Sequence, residues 1–464
     1  MLASAAAMAY KAGAVYRPRP AHRLVLAAGL LLACGAPRPP SFVLVLVDTL
    51  RLDRLHFAAS SAPATPAFDR LRAESVWFER AYANSSWTLP SVASLLISQL
   101  PSEHRVSTWG ARLASDQLTL PDALRPAGYR TAMFTANRII AGERGFVGRF
   151  DAGALVEDPE FSGDLHDEAA FASAAAVVER SLAWLADVRA RPSTPYLVLL
   201  HLMEPHAPYP CPRAAATECA EGMQALNQRL LGLDWEFSAA ERERIDAAYD
   251  AGVVQMDAAL AALLQTLEAS GVLDEAWLIL AADHGELLGE DELYLHGRSL
   301  VEPLVRVPLL FRPPGGGRAA SVDALVSLVD LAPTLLELAG RPAPSAFRGR
   351  SFAAALRGEA LAPAPVVIEL PQLRPVPDAR RRHVYALIDA DQMWLVAPDG
   401  SVEQRAFGGT QTTRPGPADR AALDARLSDR DLVFDPAVYM GAEFEPPSPE
   451  MLDALERLGY IEAR

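Results

Sequence analysis

The sequence has few cysteines, no cluster of basic residues, no internal repeat and no long low-complexity tract. Its 43 lysine and arginine residues are scattered over 464 residues, and the formal net charge is −15; this excludes the basic patch of a nucleic-acid-binding protein. Half of the residues are hydrophobic, so a chain of this length can bury a large core. An acidic protein that binds an anion needs a local positive charge, and a bound metal ion is the simplest source.

The N-terminal segment, residues 1–34, differs in composition from the rest. Basic residues precede an apolar run at 24–33 (LVLAAGLLLA), which is too short to span a bilayer and ends at Cys34. The pattern resembles a bacterial lipobox, in which the cysteine becomes the lipid-modified first residue. We therefore expect an exported protein of the bacterial cell envelope, periplasmic or on the surface, held at the membrane by a lipid anchor on Cys34. An ordinary signal peptide, or a short anchor helix with an incidental cysteine, is the alternative.

The other two cysteines, Cys211 and Cys219, lie in one proline-rich loop. In an oxidising compartment they could close this loop as a disulfide. Spacing alone does not fix the geometry of a disulfide, so two unpaired thiols are the alternative.

Three largely apolar runs, at 42–47, 196–202 and 276–282, are typical of strands buried on both faces of a parallel sheet. Helical segments separate them, and this alternation predicts a right-handed, mostly parallel, doubly wound α/β sheet. Further predicted elements are strands at 130–137 and 306–311 and helices at 65–74, 91–100, 168–190, 238–270 and 327–339. The catalytic domain is predicted at 41–348. A small C-terminal α+β subdomain at 349–464 is predicted to hold a hairpin at 383–406 and a terminal helix at 449–461.

Polar residues that can carry chemistry follow the predicted strands. Asp48 follows the first strand, Asp283 and His284 follow the third, His206 lies in the loop after the second, and Thr88 stands at a helix start. Because ligands of open α/β sheets bind outside the carboxyl ends of the strands, we expect these side chains to converge. Each alone has an ordinary explanation as a helix cap or a turn residue. Together they suit a divalent cation such as Zn²⁺ or Mn²⁺, and Ca²⁺ less naturally.

Five ordered blocks of the sequence resemble those of the sulfatase family in the alkaline-phosphatase superfamily. They are VLVLVDTLRLDRL, NSSWTLPSVASLLISQLPSEHRV, HLMEPHAPY, ADHGELLGEDELYLHGRSLVEPLVRVPLLF and the terminal LERLGY. The likeness extends from about residue 41 to residue 352, and it is weaker beyond. It implies an alkaline-phosphatase-like fold and a hydrolase acting on an anionic ester of a glycan, a lipid or a small molecule.

The resemblance also implies a metal site. Asp48, Asp283 and His284 would hold one divalent metal ion (Zn, Mn or Ca), and Thr88 would coordinate it as the nucleophile.

Further residues would act on the substrate. His206 and His296 would bind substrate oxygens, with His296 as the acid that protonates the leaving group. Arg51 would neutralise charge beside the metal, or it could equally be a surface salt-bridge partner. Asn137, at a strand end, is a weaker candidate for substrate contact, and His201, within a strand, is expected to be buried structure.

The nucleophile segment departs from the family pattern. Typical sulfatases carry Cys or Ser followed by x-Pro-Ser-Arg, and that first residue is oxidised to formylglycine. This chain has Thr88 there and Val92 in place of the arginine. Thr cannot become the aldehyde, so a threonine sulfate ester would have to be hydrolysed directly. A phosphothreonine intermediate is less of a problem, because metal-assisted in-line attack forms and breaks such esters.

Three functions therefore stay open. The first is a hydrolase of sulfate, phosphate or phosphonate esters that attacks through Thr88. The second is a transferase that moves a phospho-headgroup onto an envelope lipid or glycan, since related phospho-group transferases use Thr at this position. The third is a catalytically silent lipoprotein that binds an anionic glycan in the same cleft.

Overall fold

The computed structural model describes residues 38–427, apart from 108–110, 142–145, 158–170, 192–193, 212–216, 372–381, 391, 407–411, 414–420, 422 and 426. The predicted leader with its lipobox at Cys34 and the predicted C-terminal helix at 449–461 lie outside the described residues. Cys211 is disulfide-bonded, and the side chain of Cys219 lies outside the described part.

A mostly parallel sheet of eight strands forms the centre of the molecule, with helices packed on it. In spatial order the strands are β10-β2-β9-β6-β1-β5-β3-β4. Their bounds are β1 (Ser41–Val47), β2 (Val76–Tyr82), β3 (Arg130–Thr135), β4 (Ala152–Leu155), β5 (Tyr196–Leu202), β6 (Ala276–Ala282), β9 (Leu309–Arg312) and β10 (Ala320–Ser327). Strand β1 lies in the interior and pairs in parallel with β5 on one side and β6 on the other. This arrangement confirms the predicted fold class.

The three apolar runs form three central strands, because side chains that are apolar at nearly every position are most stable when both faces of the strand are buried. All residues of β1 and β5 are buried, and only Trp277 of β6 is half-buried. The predicted bounds of β5 and β6 match the structure, and β1 begins one residue earlier than predicted.

The strand predicted at 306–311 is shorter than expected and lies at Leu309–Arg312, antiparallel to β6 and β2. Pro308 has no N–H to donate to a ladder, which delays the start of the strand. Strands β2 and β10 were not predicted, because their half-buried polar residues interrupt the apolar pattern. A two-stranded ribbon was also missed; it consists of β7 (Leu287–Leu288) and β8 (Tyr294–Leu295).

Eleven α-helices lie in the described part of the chain. They are α1 (Pro66–Ala73), α2 (Thr88–Ile97), α3 (Pro101–His104), α4 (Leu120–Leu124), α5 (Ala174–Arg189), α6 (Thr217–Leu231), α7 (Ala239–Ala269), α8 (Val272–Glu275), α9 (Glu302–Val305), α10 (Leu331–Leu338) and α11 (Ala353–Leu356). Ser238 and Glu241, three residues apart in the sequence, form a capping box at the start of α7. Thr65 does not cap α1 with its side chain; the Asp257 carboxylate of α7 accepts from the first free N–H groups of α1 instead. The helix predicted at 91–100 begins earlier, at Thr88.

Helix α7 has 31 residues and is long and apolar enough to cross a membrane by length and composition alone. However, 56% of its most apolar window is buried within the fold. Its Tyr249 hydroxyl donates to the backbone oxygen of Thr49 and accepts from the N–H of Arg51. We therefore describe α7 as a core helix that holds the loop after β1.

The C-terminal part forms a separate antiparallel sheet. Its strands are β11 (Val366–Glu369), β12 (Tyr385–Asp389), β13 (Gln392–Val396), β14 (Val402–Ala406) and β15 (Thr412–Thr413). The region predicted as one hairpin, 383–406, holds three antiparallel strands, β12, β13 and β14. The turn at 398–400 joins β13 to β14, and Gly400 has the positive φ of 81° that this turn requires. The sheet is tied to the main domain beside the site described below, since the N–H of Arg382 donates to the backbone oxygen of Arg298 at 2.7 Å.

Candidate active site

The site is built at the carboxyl ends of four neighbouring strands, β6, β1, β5 and β3. Asp48 follows β1, Asp283 and His284 follow β6, His201 is the penultimate residue of β5, and Asn137 lies just beyond β3. All five side chains are buried. Neighbouring parallel strands end at the same edge of the sheet, so residues that are up to 236 positions apart become neighbours.

Thr88 lies at the N-terminus of α2 and joins this cluster. Its Oγ1 is 3.1 Å from His284 Nε2 and 3.3 Å from Asp48 Oδ2. The Ser91 hydroxyl, one turn on, donates to the backbone oxygen of Asp283 at 2.6 Å and fixes α2 against the end of β6. The free N–H groups and the dipole of a helix N-terminus favour negative charge that develops at such a position. The predicted convergence of Asp48, Thr88, Asp283 and His284 is present in the structure.

His201 belongs to the cluster too, although its place within a strand suggested only buried structure. Its Nε2 lies 3.8 Å from Asp48 Oδ2 and 3.7 Å from Asp283 Oδ2. Within the described residues, neither His201 Nε2 nor Asp283 Oδ2 has a hydrogen-bond partner. The other ring nitrogen, Nδ1, is 3.2 Å from Thr135 Oγ1. The alternation of side chains along β5 directs the His201 side chain towards the site. No sequence motif indicates this direction.

The donor set fits a metal ion. Asp48, His201 and Asp283 offer ligand atoms within 4.8 Å of one another, and His284 Nε2 lies 3.6 Å from Asp48 Oδ1 and from Asp283 Oδ2. Two atoms that each bind a common ion at about 2.1 Å are themselves roughly 3–4 Å apart. Two imidazoles beside two carboxylates favour Zn²⁺ or Mn²⁺ over Ca²⁺, which prefers oxygen ligands alone.

The pKa shifts within the cluster also indicate a site that favours positive charge. Burial by itself would raise the pKa of Asp283, but His284 and His201 outweigh it and the pKa lies below the usual value. Burial would lower the pKa of His284, yet Asp283 and Asp48 raise it above the usual value. Two buried carboxylates thus attract positive charge to this point, as they would attract a metal ion.

The two other predicted histidines lie beside the cluster. The His296 ring centroid is 4.6 Å from that of His284 and 5.1 Å from that of His206. His296 is buried and its Nε2 has no hydrogen-bond partner within the described residues, whereas His206 is half-buried. His206 also lines a small cavity of about 190 Å³, together with Phe171 and Glu204. The structure therefore places His296 beside His284, and His206 beside His296.

Glu286 was missed by sequence reasoning. It is buried, and its Oε1 lies 2.8 Å from His296 Nδ1. Burial raises the pKa of Glu286 to about 7, although His206 and His284 oppose the rise. Burial also lowers the pKa of His296 well below its usual value, and His284 and His206 lower it further. In the sequence, the only indication of a role for Glu286 was its position three residues after Asp283.

Asn137 and Arg51 have different contacts from those expected. The Asn137 amide donates to Asp48 Oδ2 at 3.0 Å, so it supports the cluster. Arg51 is buried, and its guanidinium pairs with Asp53 at 2.8 Å and Glu290 at 2.7 Å. It also donates to the backbone oxygen of Glu286 at 3.0 Å. The salt-bridge alternative for Arg51 fits these contacts, although the side chain is buried and not on the surface. Within the described residues, its hydrogen-bond and ion-pair partners include none of the cluster carboxylates.

The loop after β6 must approach a neighbouring segment closely. A Cβ at Gly285 would lie 2.0 Å from the backbone oxygen of Pro303, which only glycine avoids. On the other side, the N–H of Gly297 donates to the backbone oxygen of Ser86 at 2.9 Å. These contacts hold the segments carrying Thr88, His284 and His296 against one another.

A mostly parallel α/β sheet with carboxylates, imidazoles and a helix-terminal hydroxyl buried together at its carboxyl edge defines an enzyme built to cleave anionic esters. The family model for sulfatases matches residues 40–341. The chain belongs to the sulfatase family, whose members are metal-dependent, and it is a sulfatase-like ester hydrolase.

Curated relatives agree with this assignment. An N-acetylglucosamine-6-O-sulfatase from Bacteroides thetaiotaomicron is 24% identical over 428 residues, which cover 74% of this chain and 76% of the relative. Arylsulfatase K from Gallus gallus is 25% identical over 382 residues, covering 71% of this chain and 70% of the relative.

Solved structures share the fold. A phosphonate monoester hydrolase from Silicibacter pomeroyi superposes with a TM-score of 0.65 at 20% identity and covers 84% of this chain and 94% of that one. A protein solved with its substrate D-glucosamine-2-N,6-O-disulfate gives a TM-score of 0.67 at 18% identity and covers 91% and 98%.

Proposed function

We propose that the protein is a metal-dependent hydrolase in which Thr88 attacks a phosphate or phosphonate ester, with sulfate esters as the competing substrate class. The observation that carries this proposal is the position of Thr88 Oγ1, which is 3.1 Å from His284 Nε2 and 3.3 Å from Asp48 Oδ2 at the N-terminus of α2. A hydroxyl held beside the imidazole and the carboxylate of a metal site, at the N-terminus of a helix, is placed to become a nucleophile.

The metal would be held by Asp48, Asp283, His284 and His201. Each histidine Nε2 lies 3.6–3.8 Å from an oxygen of each of the two aspartates. A bound divalent ion supplies Lewis-acid stabilisation of negative charge on the nucleophile and the substrate. The expected consequence is that Asp283→Asn binds less metal, measured by elemental analysis of the purified protein. Equal metal content in the variant and the parent would count against this ligand assignment.

The side chains of this chain would perform two displacement steps. In the first, the Thr88 oxygen, which has released its proton to solvent, bonds to phosphorus, the bond to the leaving oxygen breaks, and His296 gives that oxygen a proton. In the second, water attacks the phosphothreonine, its proton passes to His296, and the bond to Thr88 breaks. His206, beside His296 and at the edge of a cavity, is placed to bind a substrate oxygen. General acid–base help of this kind typically contributes about 10²–10⁴-fold.

The choice of phosphorus over sulfur rests on Thr88 and Val92. Thr cannot provide the aldehyde hydrate through which typical sulfatases release sulfate, whereas a phosphothreonine can be hydrolysed directly. The similarity of fold to a phosphonate monoester hydrolase supports this choice, and the curated sulfatase relatives support the competing class.

Turnover of paired aryl phosphate, aryl phosphodiester, aryl phosphonate and aryl sulfate substrates by the metal-loaded protein tests the proposal. We expect Thr88→Ala to lose about 10³-fold or more, the scale of losing a nucleophile. The matched control is Thr131→Ala, which removes a buried threonine hydroxyl at the far end of β3. An unchanged rate in Thr88→Ala would remove Thr88 from the mechanism. Transfer of the phospho-group to an added alcohol in place of water would favour a headgroup transferase.

The cellular location is part of the proposal. The leader with Cys34 supports export and lipid anchoring in the bacterial envelope. We expect the native chain to fractionate with membranes and the Cys34→Ser variant to appear in the soluble fraction. Equal membrane association of both would contradict the lipid anchor.

A further inference from the structure

We propose that Glu286 is the positioning residue for His296, and that the two form a dyad which delivers a proton to the leaving-group oxygen and later takes one from the attacking water. This inference rests on the proposed function, because it assigns a partner to the acid of that reaction. The family resemblance assigned His296 a role, and it assigned none to Glu286.

In the dyad, the Glu286 carboxyl group orients the imidazole ring of His296. Glu286 Oε1 is 2.8 Å from His296 Nδ1, and both side chains are buried. The opposite ring nitrogen, Nε2, has no hydrogen-bond partner within the described residues. With Nδ1 engaged by the carboxyl group, Nε2 is the nitrogen left for a substrate. The ring stands against His284 and His206, between the metal cluster and the cavity edge.

Local backbone structure explains how the two residues meet. In the ribbon of β7 and β8, Leu287 pairs with Leu295 and Leu288 pairs with Tyr294. Glu286 and His296 are the next residues outward on the two strands, so they form the following pair of the same antiparallel register. Residues opposite each other in such a pair have side chains in contact range.

Both ends of this extra pair are anchored. The N–H of Gly285 donates to the backbone oxygen of Leu304 at 2.7 Å, and the N–H of Gly297 donates to the backbone oxygen of Ser86 at 2.9 Å. The second contact ties the dyad to the segment that leads into Thr88. The ribbon therefore aims the free nitrogen of His296 by means of backbone contacts and one side-chain hydrogen bond.

Thr88 enters the first step as its alkoxide, having released its proton to solvent, and leaves the second step as the same alkoxide, so His296 handles the one remaining proton. When the bond from phosphorus to the leaving oxygen breaks, the electron pair stays on that oxygen and the proton on His296 Nε2 moves to it. In the second step water forms a bond to phosphorus and gives its proton back to Nε2, while Thr88 leaves. Glu286 keeps its hydrogen bond to Nδ1 throughout, so it sets the ring orientation and favours the positive charge that the ring carries before the first step and regains in the second.

The test compares leaving groups. An aryl leaving group such as 4-nitrophenolate leaves without protonation, whereas an alkyl leaving group needs the acid. We expect Glu286→Ala to lose about 10–100-fold in kcat on alkyl esters, the scale of losing an orienting partner, and clearly less on aryl esters. Glu286→Gln, whose amide oxygen can still accept from Nδ1, should recover part of the loss. The control Asp330→Asn removes another buried carboxylate, and it should change both ester classes equally.

A second measurement does not depend on turnover. In protein labelled with ¹⁵N-histidine, the Nδ1–H proton held by Glu286 should give a protected downfield resonance that His296→Asn removes. That resonance should be lost in Glu286→Ala and present in Asp330→Asn. Its survival in Glu286→Ala, or equal losses on aryl and alkyl esters, would overturn the dyad. If the resonance behaves as expected and no ester is turned over, the dyad stands and the proposed hydrolase function fails.

Discussion

The Nε2 nitrogen of His201 lies 3.7 Å from the Oδ2 oxygen of Asp283, and within the described residues neither atom has a hydrogen-bond partner. Two buried polar atoms left unsatisfied would each cost about 1–3 kcal/mol. A shared ion accounts for both, because it would bind the lone pair of each.

The first prediction follows from this pair. His201→Ala should bind a divalent metal at least about 10–100-fold more weakly, since one of the four donors is removed. The measurement is Zn²⁺ and Mn²⁺ affinity by competition with a chelator, and the rise in Tm on metal addition should shrink in parallel. The exposed His56 provides the control: His56→Ala should bind as the parent does. Undiminished affinity in His201→Ala would exclude His201 from the metal site.

The second prediction concerns the residue behind His201. Thr135 Oγ1 lies 3.2 Å from His201 Nδ1 and so orients the ring. Thr135→Val keeps the shape of the side chain and removes this partner, and we expect metal affinity to fall by about 10–100-fold. The same chelator competition measures it, with Thr131→Val as the matched change on β3. A metal affinity equal to that of the parent would show that the ring needs no such support.

The third prediction concerns the close approach at Gly285. A Cβ there would lie 2.0 Å from the backbone oxygen of Pro303, so Gly285→Ala must displace the loop that carries His284. We expect the free energy of unfolding to fall by at least about 1–3 kcal/mol, with a loss of bound metal. Denaturant unfolding measures the first effect. At Gly148, where a Cβ meets nothing within 4 Å, the substitution to Ala should change stability little; similar losses in both would refute the steric argument.

The fourth prediction is a pH dependence of stability from a histidine outside the site. Burial lowers the pKa of His104 from 6.5 to about 3, despite a hydrogen bond to the Pro90 backbone. The unfolded chain therefore binds one more proton than the folded chain between these two values. The contribution is fully present above pH 6.5 and is lost as pH falls towards 3, by up to about 1.4 kcal/mol per pH unit.

Its measurement is the unfolding free energy of the parent and of His104→Asn across pH 4 to 7. The Asn oxygen can accept from the N–H of Val106 as His104 Nδ1 does at 2.9 Å, while it cannot titrate. The difference between the two proteins should grow with acidity in favour of the variant. A difference that does not depend on pH would show that His104 titrates normally.

The sequence by itself determined the central strands, the fold class and the positions of Asp48 and Asp283. An unbroken apolar run has one stable placement, between two layers of helices, and the first polar residue after it must lie at the sheet edge. The capping box of α7 was equally readable, because both partners lie within one helical turn. The family resemblance added the roles of Thr88, His206 and His296.

Only the tertiary structure decided which further side chains join the site. His201 becomes a candidate ligand because β5 pairs with β1 in a register that sets His201 opposite Leu46, and a strand pattern carries no information on the register with its neighbour. Glu286 meets His296 through a ribbon of two residues per strand, which is too short to leave a periodic pattern. Arg51 pairs with Asp53 and Glu290. The sequence does not say which of the nearby carboxylates a guanidinium will pair with, because that depends on distances in the folded chain.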